Sequence, residues 1–154
     1  MNFGIALGSN LGDRAENMRR CIELLMTRVP GIHLNANAPV YETEPVDCAP
    51  GTQSFLNTVI EVSADCLPHE LHGHLKAIEQ ALGRSEQRER NSPRTLDLDL
   101  LYADAVISDD PDLILPHPRM HLRRFVLEPL ADIRPDLMLP GQKVSVAELL
   151  AGLK

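Results

Sequence analysis

The sequence has no tryptophan and only three phenylalanines and two tyrosines, so few rings are on hand for packing or for stacking on a ligand. Its three cysteines, Cys21, Cys48 and Cys66, are odd in number and form no CxxC pair. That excludes a disulfide framework and a cysteine zinc site, and points to a reducing compartment. The opening MNFGIALGSN carries no basic segment ahead of a long apolar stretch. No later run approaches the roughly 18 apolar residues of a membrane span, so the expectation is a cytoplasmic chain, neither exported nor anchored. Basic charge is also scarce. With 22 acidic and 15 basic side chains the formal charge is −7, and such a surface repels nucleic acid and anionic membrane. The phosphate-binding lysine of a P-loop is missing as well, because Gly8-Ser9-Asn10-Leu11-Gly12 runs on into Asp13-Arg14. His69-Glu70-Leu71-His72 begins like a metalloprotease helix, but Gly73 stands where its second histidine belongs. His72 and His74 are therefore read as exposed or rim residues of a helix rather than metal ligands. With no repeat, linker or low-complexity tract, 154 residues at 44% hydrophobic content suit one domain, residues 1–154, around a core of its own.

What is present is a sequence of well-marked periods. Phe3-Gly4-Ile5-Ala6-Leu7 reads as a strand ending in the turn-rich Gly8 to Asp13. Met18, Cys21, Ile22, Leu25, Met26 and Val29 follow the spacing of one helix face, which Pro30-Gly31 stops. Ile32, Leu34, Ala36, Ala38 and Val40 alternate with polar residues as a second strand, with Pro39 marking an edge or a bulge. Glu42 to Ser54 lacks any period and reads as a mobile loop. Phe55 to Ala64 is a third strand, Pro68 to Leu82 a second helix with Gly83 as its stop, and Thr95 to Tyr102 a fourth strand. The order βαββαβ predicts an α+β fold with a ferredoxin-like core, an antiparallel sheet with helices on one face. The last third adds Pro-bounded segments and a C-terminal helix opened by the capping box Ser145-Val146-Ala147-Glu148.

Positions two apart on a strand share a face, so Asp97 and Asp99 project together while Leu96, Leu98 and Leu100 pack on the other side. Two carboxylates in one small space repel unless a cation joins them. Magnesium suits such a pair, being held by one or two carboxylates plus substrate phosphates. Arg84, Arg88, Arg90 and Arg94 lie just upstream, and Arg119, Arg123 and Arg124 downstream. Arginines outnumber lysines 12 to 3, and the planar guanidinium grips phosphate oxygens bidentately. Carboxylates for Mg²⁺ beside several arginines are the parts phosphoryl transfer requires.

Ser92-Pro93-Arg94-Thr95-Leu96-Asp97-Leu98-Asp99-Leu100-Leu101 resembles the signature of the hydroxymethyl-dihydropterin pyrophosphokinases, enzymes of folate biosynthesis. Further blocks stand in family order: Ala6 to Arg14, Tyr41-Glu42-Thr43-Glu44-Pro45-Val46, Phe55-Leu56-Asn57, and Leu115-Pro116-His117-Pro118-Arg119-Met120. The resemblance implies that Asp97 and Asp99 hold two Mg²⁺ ions that bridge the phosphates of ATP, the pterin hydroxyl attacks the β-phosphorus and AMP leaves. It also implies that Arg84 and Arg94 act on the phosphates, and that His117 and Arg123 contact ATP in a nucleotide pocket lined by Glu79, Leu100 and Ile114. On the pterin side it implies Phe55 and Phe125 as two aromatic faces, Asn57 as the amide that pairs with the ring, and Thr43 and Val46 as backbone contributors. Stacking on both sides plus a two-sided amide is what a flat heterocycle needs. The sequence departs from the family pattern at Ser92, at Asn91 and Glu86, and at Leu122, where a glutamate is common.

Two other classes compete. A noncatalytic ferredoxin-like module would bind a ligand through its sheet, since this fold hosts many functions; the intact aspartate pair argues against it. A nucleotidyl transferase could share the D-x-D but would present a basic surface to nucleic acid, which the net charge disfavours. The expected partners are small molecules, ATP and a reduced pterin, and the expected state is a monomer.

Overall fold

The computed structural model describes residues 1–10, 13–43, 54–82 and 96–153. Val46, Cys48, Arg84, Glu86, Arg88, Arg90, Asn91, Ser92 and Arg94 lie outside the described residues, as does most of the segment read as a loop, 42–54. The elements are β1 (Asn2–Ser9), α1 (Arg14–Arg28), β2 (His33–Asn37), β3 (Tyr41–Thr43), β4 (Phe55–Ser63), α2 (Pro68–Leu82), β5 (Asp97–Ala103), β6 (Ser108–Asp110), β7 (Leu113–Leu115), a 3-10 turn (Met120–Leu122), α3 (Arg124–Ile133) and α4 (Val146–Ala151). The main sheet runs β2-β4-β1-β5, all antiparallel, with β3 also on β4. This is the split βαβ arrangement that the element order predicts.

Local chemistry sets the helices. Asp13 caps α1 by accepting the Glu16 N–H at 3.1 Å, and Glu16 and Arg28 sit at the ends where the helix dipole favours them. The Glu70 carboxylate accepts the Leu67 N–H at 3.0 Å just before α2, and Ser145 forms the full capping box of α4. Met18, Cys21 and Leu25 of α1 and Leu71, Leu75 and Ile78 of α2 bury against Phe3, Ile5, Leu7, Leu98 and Leu100 of the sheet. Burial pushes the Cys21 thiol up to about 12, so it is an inert core group. Among the described residues, no helix is long and apolar enough to cross a membrane.

Two sequence expectations change. The strand read through residues 32–40 ends at Asn37 as β2, and after a break the chain returns to β4 as the separate short strand β3, which reaches into the segment read as a loop. At the break, the Thr58 hydroxyl donates to the carbonyls of Ala38 at 2.9 Å and Pro39 at 3.2 Å. Because this is the sheet edge, Leu34 and Val40 of the expected inward set are 41% and 55% exposed. The sheet is also covered on both faces. A second core of Val59, Leu101, Tyr102, Val126, Leu127, Leu130 and Val146 packs α3 and α4 over one end of the opposite face. The other end is left open.

A β-bulge makes that second core possible. Gly4 pairs with Tyr102 and Ile5 with Leu100, which leaves Leu101 unopposed. The extra residue reverses the alternation, so Leu98 and Leu100 face α1 and α2 whereas Tyr102 turns to the other side. Its ring lies across Gly4, where an added Cβ would sit 2.1 Å from ring carbon Cε2. Its hydroxyl donates to buried Glu61 at 2.7 Å, and Glu61 also pairs with Arg134. Gly4→Ala is therefore expected to lower stability by about 1–3 kcal/mol through overpacking, read from the midpoint of urea unfolding; an unchanged midpoint would mean that the ring has room to move.

Candidate active site

Register across four strands assembles the open end of the second face. Tyr41 pairs with Asn57, Asn57 with Gly8, and Gly8 with Asp97, so four residues stand in one row across β3, β4, β1 and β5. One step along, Val59, Ala6 and Asp99 form the next row. Directly paired residues project to the same face. The amide and both carboxylates therefore share a floor whose centre is made by the small residues Gly8 and Ala6. A Cβ at position 8 would come within 3.1 Å of Asn57 Oδ1. Small size here is what keeps the floor open.

Over this floor lies a cavity of about 550 Å³, with Thr43, Phe55, Asn57, Asp97, Asp99, Arg123 and Phe125 on its walls. Asn57 is buried, and its Nδ2 donates to the Thr43 hydroxyl at 2.6 Å, which fixes the sense of the amide. Phe55 opens β4, and Phe125 sits in the first turn of α3, 40% exposed. The Arg123 guanidinium lies 5.5 Å from the centre of the Phe125 ring, within cation–π range. Pro129, also on the wall, has no N–H to return to the Phe125 carbonyl one helical turn earlier.

A second cavity of about 220 Å³ is lined by Leu100, Ile114 and His117, three of the residues expected to meet a nucleotide, together with His72, Asp99 and Leu113. Asp99 belongs to the walls of both cavities. His117 is tied to the bulge, its N–H donating to the Leu101 carbonyl at 2.8 Å. Its Nδ1 accepts the Arg119 N–H at 3.2 Å. The proton of the neutral ring is then on Nε2, which is left to donate outward. Burial lowers the proton affinity of this ring; Asp99 opposes that, and Arg123 and Arg119 add to it.

Glu79 is placed differently from the expectation. It lies on neither cavity wall and is 1% exposed. Its Oε2 accepts the Leu98 N–H at 2.8 Å and its Oε1 accepts the Lys76 ammonium at 3.0 Å. A buried carboxylate so bonded pins the one residue that separates the two aspartates. Leu122, 65% exposed on the 3-10 turn, also lies on neither wall. The sequence reading missed Tyr41, Glu42, Arg124, Glu128 and Pro129 on the first cavity and His72 on the second. Tyr41 and Glu42 sat inside a block already singled out, Arg124 in the downstream arginine cluster, and His72 in a motif that left it as a rim residue of its helix; Glu128 and Pro129 gave no distinct signal. Arg84, Arg94 and Val46 are outside the described residues, so their relation to these walls stays an expectation.

A family profile described as 7,8-dihydro-6-hydroxymethylpterin-pyrophosphokinase (HPPK) matches residues 4–135. The chain is 40% identical over 150 residues to a 2-amino-4-hydroxy-6-hydroxymethyldihydropteridine pyrophosphokinase of Methylorubrum extorquens, covering 97% of this chain and 91% of that one. It is 43% identical over 131 residues to a folate synthesis bifunctional protein of Arabidopsis thaliana, covering 84% of this chain. It spans 26% of that longer relative. Among solved structures, an HPPK-DHPS in complex with substrates superposes with a TM-score of 0.73 at 12% identity, covering 97% of this chain and 44% of that one. At that identity the likeness is one of fold.

The Glu79 contact is open to direct test. Glu79→Ala strands a buried backbone N–H and should cost about 1–3 kcal/mol in urea unfolding. Glu79→Gln keeps an acceptor and should cost less. Equal losses for the two variants would assign the effect to charge or packing instead of the bond to Leu98.

Proposed function

The chain belongs to the 7,8-dihydro-6-hydroxymethylpterin-pyrophosphokinase family, and from that membership we propose that it transfers the terminal diphosphate of ATP to the hydroxymethyl group of 6-hydroxymethyl-7,8-dihydropterin, releasing AMP, in folate biosynthesis. The observation that carries this reading is Asp99, which stands at the meeting of two differently built cavities with Asp97 beside it on the same face.

The larger cavity suits the pterin. Phe55 and Phe125 offer apolar faces to a flat heterocycle, and the Asn57 amide offers a donor and an acceptor to its edge. Thr43 holds that amide from the side, and the resemblance adds the backbone of Thr43 and Val46. The smaller cavity suits the nucleoside, with Leu100 and Ile114 as apolar wall. The triphosphate then passes Asp99, within reach of the Arg123 fork and the Nε2–H of His117, both charge-complementary to phosphate oxygens. Arg84 and Arg94 act on the same phosphates in this reading.

The donor set between the cavities is two carboxylates on one strand face, all oxygen, which fits Mg²⁺ together with substrate phosphates. We assign two ions to Asp97 and Asp99. When bound, they supply charge neutralisation and polarise the phosphoryl oxygens. The protein's own part is positioning. The pterin oxygen forms a bond to the β-phosphorus and loses its proton, the bond from that phosphorus to the bridging oxygen of AMP breaks, and cationic side chains stabilise the spreading charge. We read the chain as a single domain, acting as a cytoplasmic monomer on small molecules. A noncatalytic module on the same fold would have no use for the paired carboxylates.

Incubation with ATP, Mg²⁺ and the reduced hydroxymethyl pterin should yield AMP; accumulation of ADP would mean a different transfer. Asp97→Ala and Asp99→Ala should each abolish turnover, and Asp99→Ala should do so without lowering the urea midpoint, because it also removes a like-charge repulsion. Near-normal turnover of either variant at saturating Mg²⁺ would refute the metal assignment. Phe125→Ala should weaken the pterin by about 1 kcal/mol through lost stacking and leave ATP affinity nearly unchanged, by titration calorimetry with each ligand alone. Equal losses for both ligands would show Phe125 to be a support for the fold.

A further inference from the structure

The smaller cavity contains a histidine that the reading above leaves unused. His72 is carried on α2 one turn before Lys76 and two turns before Glu79, on the face that Glu79 fastens to β5 through the Leu98 N–H. Its imidazole is part of the wall that also includes Leu100, Leu113 and Ile114. Its Nδ1 is sealed from solvent and meets no hydrogen-bonding partner among the described residues. A buried ring nitrogen without a partner is unusual and calls for one. The torsion between Cβ and the ring is broad and roughly two-fold, so a half-turn moves this nitrogen to the opposite edge of the ring without moving the helix. The ring is biased toward its neutral form, by burial first and then by Lys76 and His69, against the pull of Glu79 and Asp99. A neutral imidazole has one donor and one acceptor nitrogen. Pro111 and Pro118 extend the apolar part of the wall, and Asp99, Asp112 and His117 are its other polar residues, so a planar base entering there finds stacking surface but few groups that donate to its edge.

We propose that His72 hydrogen-bonds the nucleobase of the ATP donor and sets the preference of this chain among nucleoside triphosphates. The proposal rests on the assignment of the smaller cavity to the nucleoside.

The test is titration of the full chain with an unreactive ATP analogue and with the corresponding GTP analogue. His72→Leu fills the same space without a nitrogen, and it should weaken the ATP analogue about tenfold and narrow the difference between the two nucleotides. His72→Gln, which keeps a donor and an acceptor, should recover binding to within about threefold of the parent. Pterin affinity, measured separately, should not move, which a merely structural role for His72 would not predict. If His72→Leu binds the ATP analogue within twofold of the parent, the ring is only a wall and the proposal fails. Ile114→Asp separates the two layers of the argument. Loss of nucleotide binding there, with His72→Leu unaffected, overturns the role of His72 and keeps the cavity assignment; no loss in either variant overturns both.

Discussion

The position of the two carboxylates on β5 is set by the residue between them. Leu98 is held twice: its side chain is buried in the core under α1 and α2, and its N–H is bound by the buried carboxylate of Glu79. Desolvation makes an uncompensated Glu79 expensive, and the backbone donor together with the Lys76 ammonium supplies the compensation. The helix and the strand are thereby locked in relative position by a polar contact inside an otherwise apolar interface. Everything that the face offers to a ligand is measured from that fixed point: Asp97 and Asp99 directly, and Gly8, Ala6 and Asn57 through cross-strand pairing.

The second face of the sheet is divided by residue size. At one end large side chains and α3 and α4 make a core, and at the other glycine and alanine leave a floor. The bulge at Leu101 marks the change, since it turns Tyr102 toward the core and offers the carbonyl that anchors His117. One irregularity in β5 thus closes the covered end and positions a histidine at the open one.

Much of this was legible in the sequence. The pairing of Asp97 with Asp99 follows from the two-residue strand period alone, the bounds of α2 from its apolar spacing, and the α4 cap from Ser145 and Glu148. The features that were not legible depend on partners distant in the chain. Alternation over residues 32–40 could not show that Thr58 would draw the chain aside at Ala38 and Pro39. Leu100-Leu101-Tyr102 hid the bulge, because all three are apolar and the period set by Asp97 and Asp99 is lost there. Glu79 was expected beside the nucleotide, yet its partner is a backbone N–H, which leaves no trace in side-chain pattern. His72 read as a rim residue because helix periodicity does not report whether a ring nitrogen has a partner.

One carboxylate serving as a wall of two cavities has a thermodynamic consequence. Whatever occupies either side of Asp99 alters the field and the hydration felt on the other, so the two occupancies share a coupling free energy. Linkage requires any such coupling to be reciprocal: the factor by which a ligand in one cavity changes affinity for a ligand in the other equals the factor by which the second changes affinity for the first. A single shared side chain is in this sense a sufficient route for coupling between the two cavities, with no requirement for a second conformation of the protein.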